Sequence, residues 1–385
     1  MKILYYDWNE NSSDDMIETL TYLGHYVKSV HIDIIDYNED ASFCYELEKE
    51  LKKEGFGLIF SFDFFPVISR VAMKLEIPYI SWIYDMPHIT LYSPEVKNEI
   101  NHIFIFDYDL YLKLMEKGYS SHLYYMPLGV NVNRLKAMLG KPPALLGETF
   151  EVSFVGSLYE GCLYNKINYM PEYLKGYFDG VINAQSQIYG ANIFDRSITP
   201  DILNELEKWV KLEIPRNYDV TSKELFIDMI NQKCTSMERI GLLTAVAAKY
   251  PLTLFTGSNP GLIPNAGNGG TVTYDRDMPG VFRTSKININ ITLRSITSGI
   301  PLRALDIMGA GGFLLSNWQP ELAENFTDGR DLVLFESTED MLKKIDYYLK
   351  HDSERNMIAC NGYERVEKYF SYEVQVKKIL SEVFS

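Results

Sequence analysis

The run WIYDMPH (82–88) ends an apolar, β-rich stretch with Asp85 and His88 three residues apart. A carboxylate and an imidazole so placed on a loop can take a proton from an attacking hydroxyl. Imidazole titrates near neutrality, whereas a carboxyl needs burial or a developing positive charge to serve as a base. The plainer alternatives are a satisfied loop histidine and an aspartate capping the turn before Met86-Pro87. Asp7 and Trp8 close the first β-like run and could meet an acceptor or a sugar; the following stretch, Asn9 to Asp15, reads as a loop and cap.

Further along, small residues follow β-rich runs: Gly156 and Ser157 after EVSFV, and Thr256, Gly257 and Ser258 after PLTLF. At strand carboxyl ends such residues let backbone approach a ligand. The run LRALDIMGAGG (302–312) sets Asp306 in the first turns of a helix after a loop holding Gly299 and Pro301. A carboxylate there can accept both hydroxyls of a nucleotide ribose, or it is a helix-face carboxylate in a cap or ion pair. Tyr274, Asn288 and Asn290 could contact a base or a sugar, with packing at the core edge as the alternative.

The elements that position these groups alternate. Strand patterns at 2–7, 26–33, 57–62, 78–84, 102–107 and 122–129 are separated by helical patterns at 14–24, 45–54, 67–75, 94–101 and 109–118. Alternation with short connections is the signature of a parallel sheet covered by helices. Residues 128–150, with Gly129, Gly140, Pro142, Pro143 and Gly147, read as a linker. A second alternation starts at 151–157, is interrupted by a polar, aromatic, mainly helical insertion at 160–235, and resumes with a helix at 238–250. Strands are expected at 251–258, 270–274, 286–292, 312–317 and 331–337, and helices at 301–310, 338–350, 353–369 and 372–383. The fold class is therefore α/β: two Rossmann-like, doubly wound parallel-sheet domains, 1–135 and 150–370, whose facing strand ends would form a ligand cleft. The terminal helix 372–385 is expected to return to the first domain. The segment NPGLIPNAGNGG (259–270) reads as a solvent loop, since no G-K-[ST] follows it.

With 385 residues, 46% hydrophobic and 14% aromatic, the chain can bury substantial cores. Its net charge of −15 and pI near 5.0 argue against nucleic acid or an anionic membrane as the main partner, since either needs a basic face, and leave room for a local basic pocket. Cys44, Cys162, Cys234 and Cys360 lack paired spacing, and no H-E-x-x-H occurs, so neither a disulfide framework nor a metal site is expected. No 18-residue apolar run is present and the first residues enter a strand pattern directly, so no integral membrane segment and a cytoplasmic location are expected.

The run 285–372, from SKININITLRSITSGIPLRALDIMGAGGFLLSN to NGYERVEKYFSY, resembles the glycosyltransferase domain of CgeB-like (spore-maturation) bacterial proteins. The stretches PYISWIYDMPH (78–88), IFIFDYDLYLKLMEKGY (103–119) and YYMPLGVN (124–131) look like the acceptor-side domain joined to that module. The resemblance implies a GT-B fold whose C-terminal domain binds a nucleotide-sugar, with a hydroxyl of a protein or glycan acceptor held by the N-terminal domain. It implies a hexosyl- or N-acetylhexosaminyltransferase, with a UDP-sugar as the commonest donor and no cofactor beyond that co-substrate. A metal-free enzyme of this kind neutralises its departing diphosphate with helix amides and Arg or Lys; Arg294 and Arg303, flanking the loop 295–300, are the candidates. Many retaining members carry two glutamates eight positions apart. Here Asp306 stands at the second position and Ser298 at the first, so the ribose contact carries over and the sugar contact does not. Gly311 and Gly312, on spacing alone a helix C-cap, gain a donor-side role from their place in the motif.

Two other readings share the fold: a nucleotide-sugar epimerase, and a non-catalytic binding or surface-assembly protein. Both predict different behaviour from a transferase, the first needing several acid/base groups in the C-terminal domain and the second tolerating loss of Asp306. A homo-oligomer is compatible with the insertion.

Overall fold

The structure, a computed structural model, describes residues 1–119, 122–142 and 149–384. The chain divides into two compact units. One comprises Met1–Asn131, Pro215–Asp219 and Tyr369–Ser385; the other Val132–Ile214 and Val220–Lys368.

Unit 1 contains β1 (Lys2–Tyr6), α1 (Ser13–Tyr22), β2 (Tyr26–Val30), α2 (Ala41–Glu54), β3 (Leu58–Phe62), α3 (Pro66–Leu75), β4 (Tyr79–Trp82), β5 (Asn101–Ile105), α4 (Tyr108–Glu116) and β6 (Leu123–Tyr125). The strands form one parallel sheet in the order β2-β1-β3-β4-β5-β6. β3 and β4 are buried along their whole length, as strands covered on both faces must be. Where a helix was expected at 94–101, two 3₁₀ turns stand instead, Ile89–Tyr92 and Pro94–Lys97; Pro94 supplies no N–H to extend the first turn. α2 starts four residues before its apolar pattern because Asp40 caps it, accepting the Phe43 N–H at 2.9 Å.

Unit 2 opens with α5 (Val132–Leu139), inside the stretch expected to be linker; Pro143 and Gly147 of that stretch lie outside the described residues. Next come β7 (Phe150–Val155), α6 (Glu172–Gln185), α7 (Phe194–Ser197), α8 (Pro200–Trp209), α9 (Ser222–Ala247), β8 (Leu252–Phe255), β9 (Gly267–Gly270), α10 (Met278–Thr284) and β10 (Ser285–Asn290). The unit closes with α11 (Leu302–Gly309), β11 (Leu314–Asn317), α12 (Pro320–Asn325), β12 (Val333–Phe335), α13 (Thr338–Tyr348) and α14 (Asp352–Tyr369). Its parallel sheet runs β12-β11-β10-β7-β8-β9.

Two expectations need correction here. The insertion does not stop at 235, because α9 runs unbroken for 26 residues from a capping box in which Thr221 and Glu224 satisfy each other's backbone N–H. The edge strand is GNGG rather than 270–274: a Cβ on Gly269 would lie 2.4 Å from the Phe255 ring, so only glycine lets this backbone pair with β8. The insertion buries its own apolar set, including Phe178, Phe194, Phe226 and Cys234. The last helix, α15 (Tyr372–Phe384), lies in unit 1, where the Tyr372 ring packs on Trp82 at 5.9 Å and the Gln375 amide donates to the Pro127 carbonyl at 2.9 Å. All four cysteines are free thiols. No helix among the described residues is long and apolar enough to cross a membrane.

Candidate functional site

In unit 2 three of the expected residues converge. Asp306, almost fully buried in α11, accepts the Tyr274 hydroxyl at Oδ1 (2.8 Å) and an Arg303 N–H at Oδ2 (3.0 Å). α10 fixes the approach of Arg303, whose guanidinium lies 5.5 Å from the Phe282 ring. At the neighbouring strand ends, the Gly156–Ser157 and Thr256–Ser258 loops are tied together: Ser258 Oγ accepts the Leu158 N–H at 2.8 Å and lies 3.4 Å from Ser157 Oγ, while Thr256 Oγ1 accepts the Ser258 N–H at 3.0 Å. Gly257 leaves open space, a Cβ there meeting only a Thr271 methyl at 3.9 Å.

Under these loops lies a cation that sequence reasoning missed. Arg239 of α9 donates to the Ser157 carbonyl (2.6 Å) and twice to the Ile291 carbonyl (2.6 and 3.1 Å), bridging the carboxyl ends of β7 and β10. A Cβ on Gly156, whose φ is 158°, would sit 3.3 Å from the Phe154 ring and 3.4 Å from Nη1 of Arg239. Desolvation is the main cause lowering Arg239 to about 10, and Arg303 is near enough for its charge to add to the effect. Arg239 remains a cation at neutral pH. Its one sequence signal was an arginine on the apolar face of a helix.

Other expected donor residues are engaged elsewhere. Arg294 is held by Glu238, Nε to Oε2 at 2.7 Å, donates to the Ile188 carbonyl at 2.6 Å and lies over the Tyr189 ring. Glu238 keeps this guanidinium charged despite its desolvation. Asn288 is buried inside the sheet, accepting from Ser153 Oγ and donating to the Phe282 and Phe313 carbonyls, and Asn290 donates to Thr292 and Ser316. Both amides are spent on holding strands together, so they belong to the core. Gly311 and Gly312 precede β11 and hence lie at the amino end of the sheet, opposite the loops above. A Cβ would come 2.6 Å from Pro142 Cγ at Gly311 and 2.6 Å from the Phe282 carbonyl at Gly312, so their absent side chains serve packing. Ser298 donates to Glu321 Oε1 at 2.8 Å, and Glu321 returns its N–H to the Ser298 carbonyl at 3.0 Å. A buried carboxylate from α12 thus reaches the loop at the position where the sequence has none.

In unit 1 the carboxyl ends of the adjacent strands β1, β3 and β4 bear a second cluster. Asp63, directly after β3 and in a left-handed conformation (φ 58°), buries its carboxylate and accepts the Tyr84 and Asp85 N–H groups at 2.9 and 3.1 Å. Asp85 itself reaches the surface, yet desolvation of its carboxyl followed by the like charge of Asp63 pushes it up to about 6. His88 stands on the same loop, held at one ring nitrogen. Its Nε2 lies 3.1 Å from both the Phe64 nitrogen and the Phe64 carbonyl oxygen and 2.7 Å from Thr90 Oγ1, and its Nδ1 lies 3.8 Å from Asp63 Oδ1. The ring packs beside Asp63, with Nε2 engaged by the Phe64–Thr90 turn.

Asp7 spends Oδ1 on the Asn9 N–H at 2.8 Å, and Trp8 donates its indole N–H to the Phe62 carbonyl at 3.1 Å. The loop after Trp8 is more than a cap, because it buries Glu10, which accepts the Tyr5 hydroxyl and the Trp8 N–H (3.2 Å). Burial pushes Glu10 up to about 7. Ser12 Oγ, 3.1 Å from Tyr84 Oη, completes the link between the β1 and β4 ends. Asp63 had a signal in the sequence, standing after its strand as Asp7 stands after the first. Glu10 had none.

Two Asp-x-Asp pairs, Asp107/Asp109 and Asp275/Asp277, have spacing that could serve a divalent cation. Asp107 caps α4 by accepting the Leu110 N–H at 2.9 Å, and Asp277 closes a turn by accepting from Thr273. No group of three or more His, Cys, Asp or Glu side chains among the described residues is arranged to hold a metal.

Residues 240–381 match a family model described as glycosyl transferase-like. The whole chain superposes on solved structures of similar size. Sucrose-phosphate synthase from Thermosynechococcus elongatus aligns with TM-score 0.54 and 11% identity, over 100% of this chain and 99% of that one. A UDP-forming α,α-trehalose-phosphate synthase from Burkholderia xenovorans gives 0.54 and 13%, over 99% and 98%. HepE from Anabaena, solved in complex with UDP, gives 0.52 and 9%, over 100% and 99%. No curated protein matches in sequence. Residues 240–381 are thus similar to a glycosyl transferase-like family, and the chain as a whole has the GT-B fold of two Rossmann-like units.

Proposed function

We propose that the protein is a glycosyltransferase that moves a hexosyl or N-acetylhexosaminyl group from a nucleotide-sugar, a UDP-sugar above others, to a hydroxyl of a protein or glycan acceptor, without a metal ion. The observation that carries this reading is the Tyr274–Asp306–Arg303 group beside the β7 and β8 loops, with Arg239 close by. Two donors orient the Asp306 carboxylate, whose oxygens each have more than one acceptor direction, toward a ribose diol. Arg303 and Arg239 together offset the charge of a departing diphosphate, and the Gly156 and Gly257 backbones leave room for it. The UDP seen with the similarly folded HepE supports the choice of base.

The proton of the acceptor hydroxyl goes to Asp85, which the Asp63–His88 pair positions. A carboxyl near pH 6 is ionised at neutrality and more basic than an ordinary aspartate. Transfer breaks the bond from the anomeric carbon to the diphosphate oxygen and forms one to the acceptor oxygen; the electron pair leaves on the diphosphate.

Thermal unfolding against UDP, GDP and dTDP and their sugars, in a chelator, tests this. At 100 times its Kd a ligand adds about 2.7 kcal/mol of stability. A selective upward shift with one nucleotide, lost in Asp306→Ala, is expected. No shift with any nucleotide, or an undiminished shift in the variant, overturns the reading.

A further inference from the structure

At the carboxyl ends of β1 and β3, beside the Asp63–Asp85 pair, stands a wall of rings for which proton transfer has no use. Phe65, buried just before α3, meets Tyr6 edge-on at 5.2 Å, Trp8 at 6.4 Å and Tyr37 nearly parallel at 5.9 Å. Trp8 donates its indole N–H to the carbonyl of Phe62, the residue before Asp63, and so stands next to the carboxylate pair. Tyr37 is 52% exposed although it stacks on Phe65. Ile35, two residues earlier, is 89% exposed although the Asp40 carboxylate accepts its N–H at 2.9 Å. A loop tied down in this way, presenting apolar side chains to water next to polar groups, has the make-up of a ligand wall.

The charges around the wall are acidic. Asp33, Asp36 and Glu39 lie exposed on the loop between β2 and α2, and Asp7 and Asp85 follow β1 and β4. The neighbouring cations are already engaged. His31 lies 2.7 Å from the Asp7 carbonyl and 3.3 Å from Asp33, His88 stands beside Asp63, and Arg70 of α3 donates to Glu95 at 2.8 Å.

Resting on the transferase reading, we infer that the acceptor is a saccharide that carries no negative charge, neutral or amino-bearing, with one pyranose ring laying its C–H face on Tyr37 and Trp8 while an edge hydroxyl meets Asp85. Shape and charge choose the class together. A pyranose has C–H bonds on its faces and hydroxyls on its edge, which matches ring faces next to a carboxylate. A Ser or Thr hydroxyl of a polypeptide stands on a single carbon and brings no flat face to the rings. A sugar phosphate or a uronate would meet Asp7, Asp33, Asp36 and Asp85, and the cations beside them are paired. Tyr37 and Trp8 thereby set which acceptor ring is held, and the acidic loop sets which charge is refused.

The test is isothermal titration of the full chain, with and without saturating UDP, using methyl glucoside, methyl N-acetylglucosaminide, glucosamine, glucose 6-phosphate and a Ser/Thr-rich peptide. At least one of the first three is expected to bind with a millimolar Kd, and glucose 6-phosphate at least tenfold more weakly. Tyr37→Ala should weaken the bound saccharide about fivefold, and Tyr37→Phe should leave it unchanged, because the ring face makes the contact. Tyr22→Ala, at the end of α1 and 69% exposed, is the control and should change nothing. Asp33→Asn combined with Asp36→Asn should narrow the gap between saccharide and phosphate, as should added salt. The inference is overturned if none of the three saccharides binds at concentrations on the order of 0.1 M, if the phosphate or the peptide binds as well as they do, or if a folded Tyr37→Ala binds undiminished. UDP binding in the same titrations keeps the donor site separate: its failure beside saccharide binding sinks only the donor reading, and its success without saccharide binding sinks only this inference.

Discussion

Asp63 accepts the backbone N–H of Asp85 at 3.1 Å and thereby holds one carboxylate beside another at the carboxyl ends of β3 and β4. The arrangement comes from a left-handed residue directly after the buried strand β3, whose carboxylate caps the loop that follows β4. Every proton-transfer expectation in unit 1 depends on that pairing.

The first prediction concerns pH. The Asp85 carboxyl is raised to about 6, so the folded state holds its proton more tightly than the unfolded chain. Its contribution to stability is full below the unfolded pKa and is lost as pH rises through about 6. Asp85→Asn should therefore melt higher than wild type at pH 8, with the gap closing as pH falls toward 4. Activity should show an acid limb near pH 6 that disappears with the side chain. Glu10, raised to about 7, titrates in the same window, and the difference between wild type and Asp85→Asn isolates Asp85.

Donor affinity should respond to the partners of Asp306. Tyr274→Phe removes one hydrogen bond to the carboxylate and is expected to weaken nucleotide binding by about 1 kcal/mol, roughly fivefold. Titration calorimetry with UDP reads the change. An unchanged Kd would detach Tyr274 from the site.

Gly312→Ala should lower stability by about 1–3 kcal/mol, since its Cβ would lie 2.6 Å from the Phe282 carbonyl, while leaving nucleotide Kd unchanged. Urea unfolding with and without UDP separates the two effects. A loss of affinity larger than the loss of stability would restore a ligand role to the glycine.

Tyr372 is buried against Trp82 and Phe62 in unit 1. Tyr372→Ala should cost about 3–5 kcal/mol, read by urea unfolding, with Trp82 fluorescence reporting the loss of contact. A neutral outcome would show that α15 is dispensable to the core of unit 1.

The sequence by itself determined the alternation of strands and helices in both halves, because burial on two faces leaves apolar runs that local composition displays. It also marked Asp306, Arg303, Tyr274 and the small residues at strand ends, since loop chemistry next to a strand is a local property. It misjudged what depends on neighbours distant in the chain. Glycines look alike whether they cradle a ligand or clear a Phe282 carbonyl, and an asparagine after a β-run looks alike whether it faces solvent or bridges buried strands. Arg294 and Arg239 show the same limit. Both are arginines beside apolar segments, and only the tertiary structure decided that Glu238 holds the first while the second, on a helix more than 80 residues from Ser157, bridges two strand ends. Hydrogen bonds to carbonyls and carboxylates brought together by folding fix such roles, and no window of sequence contains both partners.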